Sequence, residues 1–165
     1  MNSNEYLRRI EEAFQGEVLG EAMFQAMAGA MEDPERRYQM RVLEQLEIET
    51  KELLRAHVKR LGGDATESAS ARETGIAQAA TLAAMSWAKF IHIFRREVAK
   101  FVVRFEEFEN SGRTADLQML AALTAHERAL QAFSERESSG SGSSADSLEP
   151  VLKLLKVVPP RTTQD

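Results

Sequence analysis

Four residues that could do chemistry stand near the middle of four helix-forming stretches, each on a row of hydrophobic residues. They are Glu17, Glu47, Glu97 and His126. A carboxylate in a helical core costs several kcal/mol unless it is paired or bound to a metal ion. Three carboxylates with an imidazole suit iron, manganese or zinc, and a cation between the acids would offset their mutual repulsion. The four positions therefore predict a polar site inside packed helices.

The helices that must position these residues are predicted from apolar residues spaced alternately three and four apart. They cover residues 3–31, 34–61, 87–109 and 114–137. We expect an all-α fold, an up-down four-helix bundle with a long connection between its second and third helices. Because the middle residues of such helices lie at one depth, the four polar side chains are expected to converge.

The remaining segments are predicted to connect or to cover this bundle. Residues 64–74 form a surface connection that crosses from one end of the bundle to the other, followed by a short helix at 76–84. The domain division is a bundle at 1–137, a flexible Ser/Gly linker at 138–147 and a C-terminal amphipathic segment and tail at 148–165. That segment could pack on the bundle, exchange with a partner subunit or bind elsewhere, and packing is favoured because so short a peptide is marginal alone.

Composition narrows the class of protein. The chain has 165 residues, enough for one domain with a core of its own. It has no cysteine, which excludes disulfides and thiolate metal sites. The net charge of -5 arises from 26 acids and 21 bases without a long basic run, so nucleic-acid binding is disfavoured. No stretch is typical of a signal peptide or a membrane span, so we expect a soluble cytoplasmic protein with no membrane partner.

The polar positions also carry a family resemblance. One glutamate from each of two helices, with Glu-x-x-His from each of the other two, is the di-iron signature of ferritin-like bundles. Residues 16–28 are similar to the first ligand helix of rubrerythrins, with Gly20, Phe24 and Ala28 three, seven and eleven positions after Glu17. Residues 46–50 resemble the Glu-x-x-His helix, with Thr50 at the histidine position. The chain thus resembles the rubrerythrin and ferritin-like superfamily over about residues 5–137.

The resemblance implies a site with fewer ligands than the family pattern. It assigns Glu17, Glu47, Glu97 and His126 as metal ligands, whereas Thr50 and Leu123 stand where the pattern has a histidine and a glutamate. The implied cofactor is iron or manganese, as one ion, with a metal-free relic as the alternative. If the protein is an enzyme, the resemblance implies a metal-dependent oxidoreductase.

Three further residues are candidates for supporting roles around this site. Thr50 and Glu127 are expected to support the ligands by hydrogen bonds or by binding water. Glu127, and also Glu21 one turn beyond Glu17, are candidates to replace a missing ligand.

Two other functions remain open from the sequence. The first is a non-catalytic helical scaffold, in which the buried acids and His126 form a hydrogen-bonded relic and residues 148–158 serve association. The second is a small-molecule pocket within the bundle, which the glycines of the first helix would allow. The substrate of such a pocket is not specified by the sequence, and a homodimer is an open alternative.

Overall fold

A computed structural model describes residues 2–140 and 142–161 of the chain, and this part is helical without a strand. The prediction of an all-α fold is confirmed. A short 3₁₀ turn, Thr114–Asp116, precedes the fifth helix. The helices are α1 (Ser3–Ala30), α2 (Pro34–Arg60), α3 (Ala69–Ala83), α4 (Trp87–Ser111), α5 (Leu117–Ser139) and α6 (Ser144–Leu152).

The helix starts follow from capping side chains. Asp33 accepts hydrogen bonds from the backbone N–H groups of Glu35 and Arg36, and Pro34 occupies the first turn, where no N–H is needed. Asn2, one residue before the predicted start of the first helix, caps α1 by accepting from the N–H of Glu5. The first two long helices therefore begin within a residue of where the sequence places them.

Side-chain contacts at several heights show how the long helices run. Between α2 and α5, Gln39 donates to Glu137 near one end and Thr50 contacts His126 in the middle. The two helices are antiparallel, since the numbers fall along one as they rise along the other. The ring pairs Phe24–Phe94 and Tyr6–Phe108 show that α1 and α4 are also antiparallel.

The crossing connection contains a helix that begins earlier than predicted. α3 starts at Ala69, because the Ser68 side chain accepts from the N–H of Ala71 and caps it. It lies against α1, where Gly75 leaves no room for a side chain: a Cβ there would lie 3.1 Å from the backbone nitrogen of Met23. α3 therefore runs beside α1 and returns the chain to the end where α4 begins.

The core is divided into two apolar clusters, one toward each end of the long helices. One contains Phe24, Met40 and Phe133, and the other contains Phe14 and Leu120. Glu47 of α2 and His126 of α5 stand in sequence between the members of the two clusters, and Glu17 of α1 stands near their boundary, one residue before Val18. The predicted polar site thus separates two halves of the core.

The C-terminal segment packs on the other helices. Leu148 and Val151 of α6 are fully buried, and the Glu49 carboxylate accepts from the N–H groups of Lys156 and Val157. Packing is thus the arrangement observed among the three alternatives. The segment between α5 and α6 is shorter than the predicted 138–147 linker, since α5 continues to Ser139 and Ser143 caps α6. Residues 162–165 of the predicted tail lie outside the described residues.

Candidate metal centre

Three of the four predicted ligands come together in the middle of the helices. α1 supplies Glu17, α2 supplies Glu47 and α5 supplies His126, and we call these residues the Glu–Glu–His cluster. They are 4%, 5% and 2% exposed, respectively. Each belongs to a helix whose adjacent turns pack into the two apolar clusters, so packing above and below holds the polar side chains at one depth.

The three side chains are close enough to share an ion. One ligand atom from each lies within 4.8 Å of the other two. The His126 ring is central: Nε2 lies 3.3 Å from Glu47 Oε1, and Nδ1 lies 3.7 Å from Glu17 Oε2. Metal bonds to nitrogen and oxygen ligands measure roughly 2.0–2.2 Å, so ligand atoms around one ion are separated by about 3–4 Å. The two distances to His126 run to opposite ring nitrogens, and the spacing of one ligand atom from each residue is within 4.8 Å, so binding one ion would draw the side chains closer together.

Thr50 and Leu123 take different roles at the two positions that depart from the family pattern. Thr50 Oγ1 lies 2.8 Å from His126 Nδ1, within hydrogen-bond distance. This contact orients the imidazole and engages the nitrogen that faces away from Glu47. Leu123 is 1% exposed and packs in an apolar cluster. Its side chain has no polar atom that could bind a metal ion.

One carboxylate oxygen of the cluster is not satisfied by the protein. Glu17 Oε2 is buried, and no described residue donates a hydrogen bond to it. A buried acceptor without a donor costs about 1–3 kcal/mol, and more when it carries charge. His126 Nδ1 lies 3.7 Å from this oxygen, beyond hydrogen-bond distance, and is already within hydrogen-bond distance of Thr50. The cluster therefore lacks positive charge or a donor at this atom.

The pKa values of the buried groups reflect the same lack of positive charge. Burial raises the pKa of the Glu17 carboxyl well above its usual value, with His126 opposing the shift and Glu47 adding to it. Burial disfavours the charged imidazole, but Glu17 and Glu47 outweigh it and raise the pKa of His126 to about 10. Burial also raises the pKa of Glu127 to about 7. Among the buried residues of the site, His126 is the only one that can carry a positive charge. The three carboxyl groups beside it include two, Glu17 and Glu127, whose pKa values are raised because this positive charge does not fully offset their burial.

A glycine makes room for Glu47. Gly20 lies one turn after Glu17 on α1, and a Cβ built there would lie 2.7 Å from the carboxylate carbon of Glu47, closer than real Cβ contacts come. In the sequence, Gly20 was notable as part of the family resemblance. The structure shows that the approaching group is the predicted ligand itself, so Gly20 is a site residue that sequence reasoning did not assign.

Glu97, the predicted ligand from α4, is not part of the cluster. Its side chain is 48% exposed and pairs with Lys100 one turn away, at 2.7 Å. The buried residue at this level is Val98, because the inward face of α4 steps from Phe94 to Val98 to Val102. A three-residue step to Glu97 fits helical spacing equally well, and for this reason the sequence pattern could not separate the two.

The candidate replacement ligands have separate positions. Glu127 is 7% exposed, adjoins His126 and adds a third buried carboxylate near the cluster. Glu21 instead forms ion pairs with Lys51 and with Arg72, the latter at 3.5 Å. It therefore does not reach the cluster.

A cleft opens onto the carboxylate side of the cluster. It has a volume of about 560 Å³ and lies between α1 and α3 on one side and α4 on the other. Glu17, Glu47 and Glu127 line its inner end, whereas Thr50 and His126 do not line it. The three carboxyl groups thus lie at the inner end of the cleft, each less than a tenth exposed, and the histidine lies behind them.

Comparison with known proteins does not assign the chain to a family. No family model, no curated protein and no solved structure matches it. Among the helices described, none combines the length and apolar content needed to span a membrane. Functional inference therefore proceeds from the site itself.

Proposed function

We propose that this protein is a ferritin-like helical protein that binds one transition metal ion through Glu17, Glu47 and His126. The observation that carries the proposal is the buried Glu17 Oε2, to which no described residue donates a hydrogen bond. A bound cation would satisfy this atom and relieve the repulsion between the two carboxylates. Gly20 supports the proposal independently, since its missing side chain admits the Glu47 carboxylate.

The donor set suits iron, manganese or zinc, with two hard oxygens and one imidazole. Three protein donors beside an open cleft resemble the arrangement of sites that bind a further molecule at the ion rather than sites closed for structure alone. When bound, such an ion would supply Lewis-acid or redox chemistry. The resemblance to oxidoreductases favours iron or manganese among these metals.

The alternative function is a scaffold whose polar cluster works without metal. The Thr50–His126 contact and the raised pKa of His126 favour this alternative, because a protonated histidine would compensate one carboxylate. It leaves Glu17 Oε2 without a donor and gives no reason for an open cleft at the carboxylates. Metal binding accounts for both features, so we prefer it.

Metal content decides between the two functions. The purified protein is loaded anaerobically with ferrous or manganous ion, desalted and assayed by elemental mass spectrometry, beside Glu47→Gln and Glu97→Gln. We expect about one ion per chain in the wild type and in Glu97→Gln, and at least a tenfold lower occupancy in Glu47→Gln. Equal occupancy in Glu47→Gln and the wild type, or no metal in the wild type, would contradict the proposal.

Misfolding of the Glu47→Gln variant is controlled in the same samples. Glutamine keeps the shape of the side chain and removes a buried charge, so the metal-free variant is expected to unfold at or above the temperature of the metal-free wild type. A loss of metal with unchanged helical circular dichroism is then a loss of the ligand.

A further inference from the structure

We propose that the cleft between α1, α3 and α4 binds an organic cation with an apolar chain, an alkyl or arylalkyl amine. The proposal goes beyond metal binding, because it concerns the apolar wall of the cleft and the charge that one metal ion would leave uncompensated. The two proposals share the buried carboxylates at the inner end.

The wall of the cleft is suited to an apolar chain. Its volume of about 560 Å³ falls within the range of small-molecule sites. Met23, Leu82 and Phe94 line it, together with Phe101, which is 42% exposed although aromatic. An exposed aromatic side chain in a concave site gains contact area when an apolar molecule covers it.

The charge of the cleft favours a cation. Five glutamates and one arginine line it: Glu12, Glu17, Glu47, Glu97, Glu127 and Arg104. At the outer edge, Glu12 pairs with Arg104, at 3.3 Å, and with Arg8, whereas Glu97 pairs with Lys100. The charge that a ligand would meet is therefore mainly that of Glu17, Glu47 and Glu127 at the inner end. A carboxylate-bearing ligand would be repelled by such a lining, whereas an ammonium group would be attracted.

A single divalent ion would not remove this preference. An ion held by Glu17 and Glu47 offsets two negative charges, and Glu127 stays beside it, 7% exposed. An ammonium group offers three N–H donors, which two or three carboxylate oxygens can accept together. Glu17 Oε2, buried at the inner end and without a donor among the described residues, is the atom most in need of one.

The chain offers a matched pair of variants to block the cleft. Gly16 lines the cleft, and a Cβ built on it meets no atom within 4 Å, so a leucine can be placed there without a collision at its Cβ and would take up space in the cleft. Gly29 on the same helix is equally unobstructed and does not line the cleft. Both Gly→Leu changes raise helix propensity, so neither is expected to unfold the protein.

The test is isothermal titration of the full chain with n-octylamine, 1-octanol and octanoate. We expect n-octylamine to bind at least about tenfold more tightly than 1-octanol, because a charge-assisted hydrogen bond replaces a neutral one, and octanoate to give no measurable heat. Gly16→Leu is expected to weaken n-octylamine binding at least about tenfold, and Gly29→Leu less than about twofold. Equal affinities for the amine and the alcohol, or equal effects of the two leucines, would overturn the proposal.

Metal-free and manganese-loaded protein are titrated side by side, with the metal content measured in each sample. The amine preference is expected in both, since Glu127 remains. Loss of amine binding on loading would mean that the ammonium had only occupied the metal site, and it would overturn the cleft proposal while leaving metal binding intact. Amine binding without any metal uptake would contradict the proposed function alone.

Discussion

Glu17 and Glu21 lie one turn apart on α1, both with largely buried side chains, and their surroundings are opposite. Glu21 receives Lys51 and Arg72, so a cation meets each of its two oxygens. Glu17 faces another carboxylate, Glu47, and one histidine, and its Oε2 accepts no hydrogen bond from the described residues. Burial alone therefore does not mark a functional acid. Glu17 differs from Glu21 because its Oε2 has neither a paired lysine or arginine nor a hydrogen-bond donor among the described residues.

The two regions also shift acid pKa values in opposite directions. Beside Glu21, hydrogen bonds from Lys51 and Arg72 lower the pKa of Glu67 to about 2. In the Glu–Glu–His cluster, burial raises the pKa of Glu17 well above its usual value. Neighbouring cations keep Glu67, which stabilises the fold, in its ionised form. Glu17, which is available to bind a cation, has too little positive charge around it.

The largest effect is expected from Lys51→Met, which removes the central cation beside Glu21. Lys51 is 5% exposed and pairs with Glu21 and Glu67. Its loss leaves the partly buried carboxylates of Glu21 and Glu67 with arginine partners alone. The free energy of unfolding, measured by urea denaturation, should fall by about 3 kcal/mol, the lower end of the range for a broken buried pair. Lys100→Met, at an exposed ion pair, is the control and should change it by less than about 1 kcal/mol. Equal losses of unfolding free energy in Lys51→Met and Lys100→Met would contradict the larger role given to the buried lysine.

Gly20→Ala is expected to damage the Glu–Glu–His cluster through shape alone. The added methyl group would displace the Glu47 carboxylate. Because this carboxylate ends a flexible side chain, the cost in stability should be small and close to the helix-propensity gain of up to about 1 kcal/mol. Metal affinity should fall about tenfold or more by titration with manganous ion. Gly29→Ala keeps the propensity gain without the collision, so it should stabilise the protein and leave metal binding unchanged. A Gly20→Ala protein that binds metal normally would contradict the role of this glycine.

Acid should weaken the region around Glu21 through Glu67. The pKa of Glu67 is lower in the folded protein than in the unfolded chain, so its contribution to stability is present above pH 4.5 and is lost as the pH falls toward 2. Allowing for solvent screening, the contribution is about 1–2 kcal/mol. Denaturation of the wild type and Glu67→Gln at several pH values should show the gap between them closing over this range. A gap that stays constant from pH 6 to about 2.5 would contradict this account.

The smallest effect is expected from Thr50→Val, which removes the hydroxyl beside His126 and keeps the shape of the side chain. The lost contact should cost about 0.5–1.5 kcal/mol of stability. Freed of its orienting partner, the imidazole should bind metal about tenfold more weakly. Thr50→Ser restores the hydroxyl and should recover most of the affinity. Failure of the serine to do so would show that packing, rather than the hydrogen bond, matters at this position.

The sequence predicted the helices well, because their ends carry strong local signals. Asp33-Pro34 starts α2 and Gly62, with a positive φ, follows its end, so local chemistry fixes both positions. The start of α3 was missed because its Ala, Ser and Thr residues show no apolar periodicity. Its helical form depends instead on packing against α1, which Gly75 permits.

The site was predictable in part. Glu17, Glu47 and His126 interrupt hydrophobic rows at mid-helix, and the structure brings these three together. Glu97 could not be separated from Val98 by spacing, since which face of α4 turns inward depends on its neighbours. Lys51 was missed as a buried residue because its partners come from α1 and from the connection before α3, which sequence spacing does not relate.

The most direct measurement compares the metal content of Glu17→Gln and Glu21→Gln after identical loading with manganous or ferrous ion. The two changes are the same substitution one turn apart on the same helix. We expect Glu21→Gln to bind about one ion per chain, as the wild type does, although it is less stable, and Glu17→Gln to lose the ion while remaining folded. Equal metal content in the two variants, or loss from Glu21→Gln alone, would contradict the assignment of Glu17 as a ligand.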